Sequence, residues 1–111
     1  MRIWDVNVKI LCRKHLLGEH RELHGLWNIL TKHRGIGGYS NHPETKRWVG
    51  KLNALYNRHE ELVEEMKNRG YNHKTDLDKK LINDNNKQDI FINTIDEQIK
   101  ILKLKPCDCL K

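Results

Sequence analysis

The feature that most restricts this chain is the spacing of its apolar residues, which is helical in three separate stretches and shows no convincing strand pattern. In the first stretch Leu16, Leu23 and Leu30 recur every seven residues, and Trp27 stands four after Leu23. This predicts a first helix over about 13–33. The segment "RGIGGYSN" ends it, because Gly35, Gly37 and Gly38 are costly inside a helix. No Gly-Lys-Ser/Thr follows, so the glycines do not form a phosphate-cradling loop of the nucleotide-binding type. "NHPETKRW" restarts a helix, with Asn41 or His42 as cap, Pro43 in the first turn and Glu44 near the positive end. Trp48, Leu52, Leu55, Leu62 and Met66 keep the helical interval until Gly70 stops it, which predicts a second helix over 43–69 with Tyr56 and His59 widening its face. Residues 71–88 read as a polar loop with one turn of helix at Leu77–Leu81. A third helix is predicted over about 89–105, with Phe91, Ile95, Ile99 and Leu102 facing inward and Pro106 opening a short tail, 106–111. The expectation is an all-α, single compact three-helix domain.

A chain of 111 residues builds one modest core. With 32% charged and 37% apolar residues, that core must come from amphipathic helices. No apolar run is long enough to cross a bilayer and "MRIWDVNVKI" has no hydrophobic signal region, so a cytoplasmic or nucleoid-associated protein is expected. The net charge of +6 is uneven: residues 1–58 carry 11 Lys+Arg against 4 Asp+Glu, whereas residues 59–111 carry 10 against 11. A basic half suits a polyanion, since phosphate neutralisation releases condensed counterions. A solvated basic surface that keeps the protein soluble fits the charge equally well.

The first helix carries three stripes. Leu16, Leu23, Trp27 and Leu30 form the core stripe. Lys14, Gly18, Arg21, Gly25, Asn28 and Lys32 form a basic, glycine-bearing one, and His15, Glu19, Glu22, Leu26 and His33 lie between. Each mid-helix glycine costs roughly 1 kcal/mol against alanine. Two on one cationic stripe therefore suit close approach of a nucleic-acid strand or protein segment; a weak surface helix, or tight packing on a neighbouring helix, is the alternative. Glu22 is expected to be partly desolvated beside cations, a setting for a catalytic carboxylate, with an ordinary surface charge pair as the alternative.

Neither zinc-protease histidine pattern occurs. His20 and His24, at i and i+4, have the spacing to chelate, and Cys12 with Cys107 and Cys109 could bind zinc were the tail to fold back. Reduced thiols are the expectation, three being an odd number, and no metal or cofactor is expected. Lys32, His33 and Arg34 suit either the negative end of the first helix or phosphate contact. Tyr39 and His42 are candidates for base contact.

"RKHLLGEHREL", followed ten residues later by "KH", with an N-terminal "MRI" and "ELVEEMKNRGYN" closing the second helix, resembles the pyrimidine-dimer DNA glycosylases of the phage endonuclease V type. The similarity covers about residues 1–73, and its most specific part is His15, Leu16, Glu19, Arg21, Glu22 and Leu23; "GGYSNHPETKRW" is similar to the shorter cellular branch. The resemblance implies three helices with the N-terminal segment threaded between them, near the glutamate. It also implies a bifunctional enzyme acting on double-stranded damaged DNA. In that family the enzyme's own α-amine attacks C1′ at an ultraviolet-induced dimer, the base leaves, a Schiff base forms and β-elimination cuts the strand. The family's catalytic glutamate falls on Glu22 and the amine on Met1; its DNA- and substrate-contacting residues fall on Arg2, His15 and Arg21, and its "KH" on Lys32 and His33. The phage prototype exposes a threonine after losing its methionine, whereas here Arg2 follows Met1 and favours retention of Met1. Gly25 stands where the prototype has an arginine, so that contact is either missing or supplied elsewhere, with Arg47 and His42 as the candidates. The prototype's aromatic, lysine-bearing C-terminus has no counterpart, which bears on dimer specificity more than on lyase chemistry.

The amine chemistry suits neutral pH. With a pKa near 8 about a tenth of an α-amine is neutral at pH 7, against on the order of one in 2,500 for a lysine. Arg2 and a cationic face should lower it further. Extrusion of a base should be cheapest at a poorly stacked lesion. The expectation is therefore a monomeric DNA glycosylase/AP lyase; a non-catalytic helical DNA-binding protein and a glycosylase or lyase for another lesion are the alternatives.

Overall fold

The computed structural model describes residues 3–31, 43–71, 76–77, 79–82, 84–85 and 87–104. In chain order it contains a single 3₁₀ turn (Val8–Ile10), α1 (Arg13–Thr31), α2 (Pro43–Arg47), α3 (Leu52–Asn68), a second 3₁₀ turn (Lys79–Leu81) and α4 (Ile95–Leu104). No strand occurs among the described residues. The all-α expectation holds, with three long helices and the short α2.

α1 packs along α3. Leu16, Leu23, Leu26 and Trp27 of α1 meet Leu52, Leu55, Leu62 and Met66 of α3 in one core with Trp48, Leu77 and Leu102. Burying each such side chain contributes about 1.5–3 kcal/mol. The N-terminal segment also belongs to this core, because Ile3, Trp4, Val6 and Leu11 are all buried.

The predicted second helix is two helices. Trp48, Val49 and Gly50 form a turn, with Val49 N–H donating to the Lys46 carbonyl and Lys51 N–H to that of Trp48. Gly50 adopts φ 75°, the left-handed region that glycine enters without a Cβ penalty. The break keeps Trp48 inside and leaves Val49 exposed, and Asp84 reaches back to accept from Leu52 N–H at 3.0 Å. At the far end Gly70, at φ 83°, closes α3 as expected: its N–H donates to Lys67 O at 3.0 Å and Tyr71 N–H to Met66 O at 2.8 Å.

α4 begins six residues later than predicted. Thr94 and Glu97 form a reciprocal cap, Glu97 N–H donating to Thr94 Oγ1 at 3.1 Å and Thr94 N–H to Glu97 Oε1 at 2.9 Å. This Thr-x-x-Glu signal outranks the apolar spacing before it. Phe91 and Ile95, expected inside, are exposed; Ile99 is half-buried, and Gln98 and Leu102 are the buried residues of α4.

Candidate nucleic-acid interface and N-terminal anchor

Ile3 to Val6 run through the interior with no neighbouring strand among the described residues to satisfy their backbone. Burying unpaired amides and carbonyls costs several kcal/mol, so side chains supply the partners. Ile3 N–H donates to Glu44 Oε1 at 3.2 Å, and Arg47 Nη2 donates to Ile3 O at 2.7 Å. The Trp4 N–H donates to the Glu19 carboxylate. Asp5 N–H donates to Gln98 Oε1 at 2.8 Å, and Arg58 Nη1 to Val6 O at 2.7 Å. All four helices therefore hold this segment: α1 through Glu19, α2 through Glu44 and Arg47, α3 through Arg58 and α4 through Gln98.

The anchoring side chains also hold each other. Arg58 grips Glu19 bidentately, Nε to Oε2 at 2.7 Å and Nη2 to Oε1 at 3.0 Å. Arg47 pairs with Glu44 at 2.7 Å and with Asp5 at 3.0 Å, and donates to the Ile90 carbonyl. Glu44 accepts from Trp48 Nε1 as well. Burial pushes the Glu19 carboxyl above the usual carboxylate range, while the Arg58 charge, its hydrogen bonds and the Trp4 N–H pull it back. For Arg58 burial works against the charge, and Glu19 more than offsets it.

Several sequence expectations meet this geometry directly. Arg47, expected to contact DNA, is buried with its guanidinium turned onto Asp5, Glu44 and two carbonyls, so it is a strut for the N-terminal segment. Glu22, expected to be partly desolvated, is exposed; the enclosed carboxylate is Glu19, one turn earlier. Arg21 is exposed beside Glu22. His15 is half-buried, its ring edge-on to Trp4 at 6.0 Å and its Nδ1 3.2 Å from Cys12 Sγ. On the glycine stripe, a Cβ added at Gly18 or Gly25 would meet no described atom within 4 Å. Tight packing on a neighbouring described element thus does not explain those glycines. Met1, Arg2, Lys32, His33, Tyr39, His42, Cys107 and Cys109 lie outside the described residues.

The sequence reading missed the anchor. Its trace was nevertheless present: Glu19 stands three after Leu16 and four before Leu23, and Arg58 three after Leu55 and four before Leu62. A lone opposite charge on each of two apolar stripes is the mark of a buried pair.

What emerges is a small helical domain whose Ile3–Val6 segment is held by buried ionic side chains on an arrangement that includes α1, which bears a glycine stripe. Residues 1–79 match the family described as pyrimidine dimer DNA glycosylase, and the chain belongs to that family. Searches among curated proteins and solved structures gave no significant match. Membership implies binding to damaged DNA, and none of the described helices is long and apolar enough to cross a membrane.

Proposed function

We infer that this protein is a DNA glycosylase with AP-lyase activity on ultraviolet-induced pyrimidine dimers, using the Met1 α-amine as nucleophile and Glu22 as the assisting carboxylate. The observation that carries this reading is the anchor on Ile3–Val6. Two residues of chain reach at most about 7 Å, so fixing the Ile3 nitrogen on Glu44 of α2, next to a Trp4 amide held by α1, confines whatever the α-amine does to that neighbourhood. Trp4 is tied to Glu19, and Glu22 is one helical turn further along, where side chains on a helix are neighbours.

The neutral amine attacks C1′, and the glycosidic bond breaks with its electron pair leaving on the base. Ring opening gives an iminium between Met1 and the sugar. Loss of a C2′ proton then expels the 3′ phosphate oxygen and cuts the strand. Glu22, exposed before DNA binds, becomes desolvated when the duplex covers α1; there it stabilises the developing positive charge and moves protons. Arg21 and His15 on α1, with Arg2, Lys32, His33 and His42 elsewhere, supply contacts to the duplex. Gly18 and Gly25 let it approach the helix backbone.

Borohydride trapping on duplexes carrying a dimer or an abasic site tests this, comparing the native chain with one extended at its N-terminus. A covalent adduct is expected for the native chain alone. No adduct on either substrate, or equal trapping by the extended chain, would refute the role of Met1.

A further inference from the structure

His20 and His24 of α1 and His59 of α3 bring three imidazoles to one point. His24 Nε2 lies 3.2 Å from His20 Nε2 and 3.1 Å from His59 Nε2. One ligand atom from each ring falls within 4.8 Å of the other two. The ring centroids are 4.6–5.1 Å apart. His59 is wholly buried and the other two are half-buried. None of these side chains belongs to the N-terminal anchor or to the proposed chemistry.

The three rings converge on one nitrogen, His24 Nε2. An imidazole nitrogen carries one proton or one lone pair in its plane, yet His24 Nε2 has two ring nitrogens at hydrogen-bond distance. The tautomer of His59 is set from outside: its Nδ1 lies 3.1 Å from Glu60 Oε1, so it donates there and turns the Nε2 lone pair toward the cluster. A carboxylate holding the outer nitrogen of an inward-facing histidine is the arrangement that orients imidazole ligands on metals. Around a tetrahedral zinc ion at 2.0–2.1 Å, neighbouring ligand nitrogens lie about 3.3 Å apart. The two closest nitrogen pairs are already near that separation.

We propose that His20, His24 and His59 bind one Zn²⁺, which fastens α1 to α3 beside the Glu19–Arg58 pair and leaves its fourth position to solvent at the half-buried side. Three neutral imidazoles are a donor set that suits zinc and other borderline divalent ions and disfavours magnesium or calcium. The ion would join the three converging imidazoles by three bonds, and hold the helix that carries Glu22 in register on α3.

The test uses the full chain, stripped with a chelator and titrated with Zn²⁺ against a chromogenic competitor, with Co²⁺ as spectroscopic probe. Expected are one ion per chain, a melting temperature that rises with zinc, and a tetrahedral Co²⁺ spectrum without sulfur-to-metal charge transfer. His20→Gln and His24→Gln, at half-buried positions, should each weaken binding at least tenfold while circular dichroism stays native. His59→Gln is avoided because the buried site could fail to fold for other reasons. No stoichiometric binding, undiminished binding in the double variant, or a thiolate charge-transfer band assigning the ion to Cys12, Cys107 or Cys109 would each overturn the proposal. None of these readouts depends on DNA cleavage.

Discussion

Replacing Gly18 and Gly25 by alanine separates the two remaining explanations of the glycine stripe. Both residues are helical, neither has a positive φ, and an added Cβ meets no described atom within 4 Å. The methyl groups therefore enter open space without strain, and the helix gains about 0.8–1.0 kcal/mol per site. The positions are seven residues, about 10 Å, apart along α1, so the gains should add to about 2 kcal/mol. For a domain near this size 1 kcal/mol moves the melting temperature by about 4–8 °C, which puts the double variant on the order of 10 °C higher. If DNA lies against this stripe, the same methyl groups hold it away from the backbone. Affinity for dimer-containing duplex and cleavage should then fall together by about tenfold, or about 1.4 kcal/mol. The assays are thermal denaturation by circular dichroism, and binding and nicking of one labelled duplex. A variant that is stabilised and still binds and cuts like the native chain would refute close approach and leave the glycines as plain weaknesses of a surface helix.

Glu22→Gln should keep the fold and bind damaged duplex within a few-fold of the native chain while losing strand cleavage; near-normal nicking removes Glu22 from the chemistry. Arg58→Met leaves Glu19 buried without its cation and Val6 O without its donor, and should lower stability in urea by about 3–5 kcal/mol. A loss under about 1 kcal/mol would contradict the ionised pair. Thr94 hydrogen bonds hold the Glu97 carboxyl below its ordinary value near 4.5. A depressed folded-state pKa gives stability that is present above the ordinary value and is lost as pH falls through the folded one. Protection of the first-turn amides of α4 against hydrogen exchange should therefore fade on acidification through that range, and Glu97→Gln, which removes the titrating carboxyl, should remove the pH dependence.

The helices were legible where hydrophobic spacing and glycine agreed. Leu16, Leu23 and Trp27 are buried as α1 predicts, and Gly70 ends α3 as predicted. Failures came where a local signal overrode the period. Gly50 lies inside an unbroken run of helical spacing, and only its left-handed φ reveals the turn that separates α2 from α3. The Thr94–Glu97 cap was visible in the sequence, but the apolar residues at 90–92 extended the predicted helix past it. Glu22 was assigned through the family resemblance of its motif, whereas the place of Glu19 between Leu16 and Leu23 on the apolar stripe was the overlooked sign of burial. Burial distinguishes them: Glu19 is 2% exposed and faces Arg58, whereas Glu22 is open. The partnership of Asp5 with Gln98 joins residues 93 positions apart, which no local pattern encodes.

Burial of Glu19, Glu44, Arg47 and Arg58 in so small a core is poorly explained by stability. Taking ions out of water is expensive, and apolar replacements of matched shape often equal or exceed buried ion pairs. What apolar side chains cannot do is hydrogen-bond an extended backbone. Ile3 N and O, the Trp4 amide, the Asp5 amide and Val6 O require donors and acceptors at fixed places, and charged side chains that brace one another supply them with little rotational freedom. The arrangement fixes the direction in which the chain enters the fold more firmly than packing alone would. In the mechanism proposed above, an α-amine that meets a sugar carbon beside Glu22 gains from such an anchor, because a nucleophile held near its target has already lost the motional freedom that reaction would otherwise require it to lose.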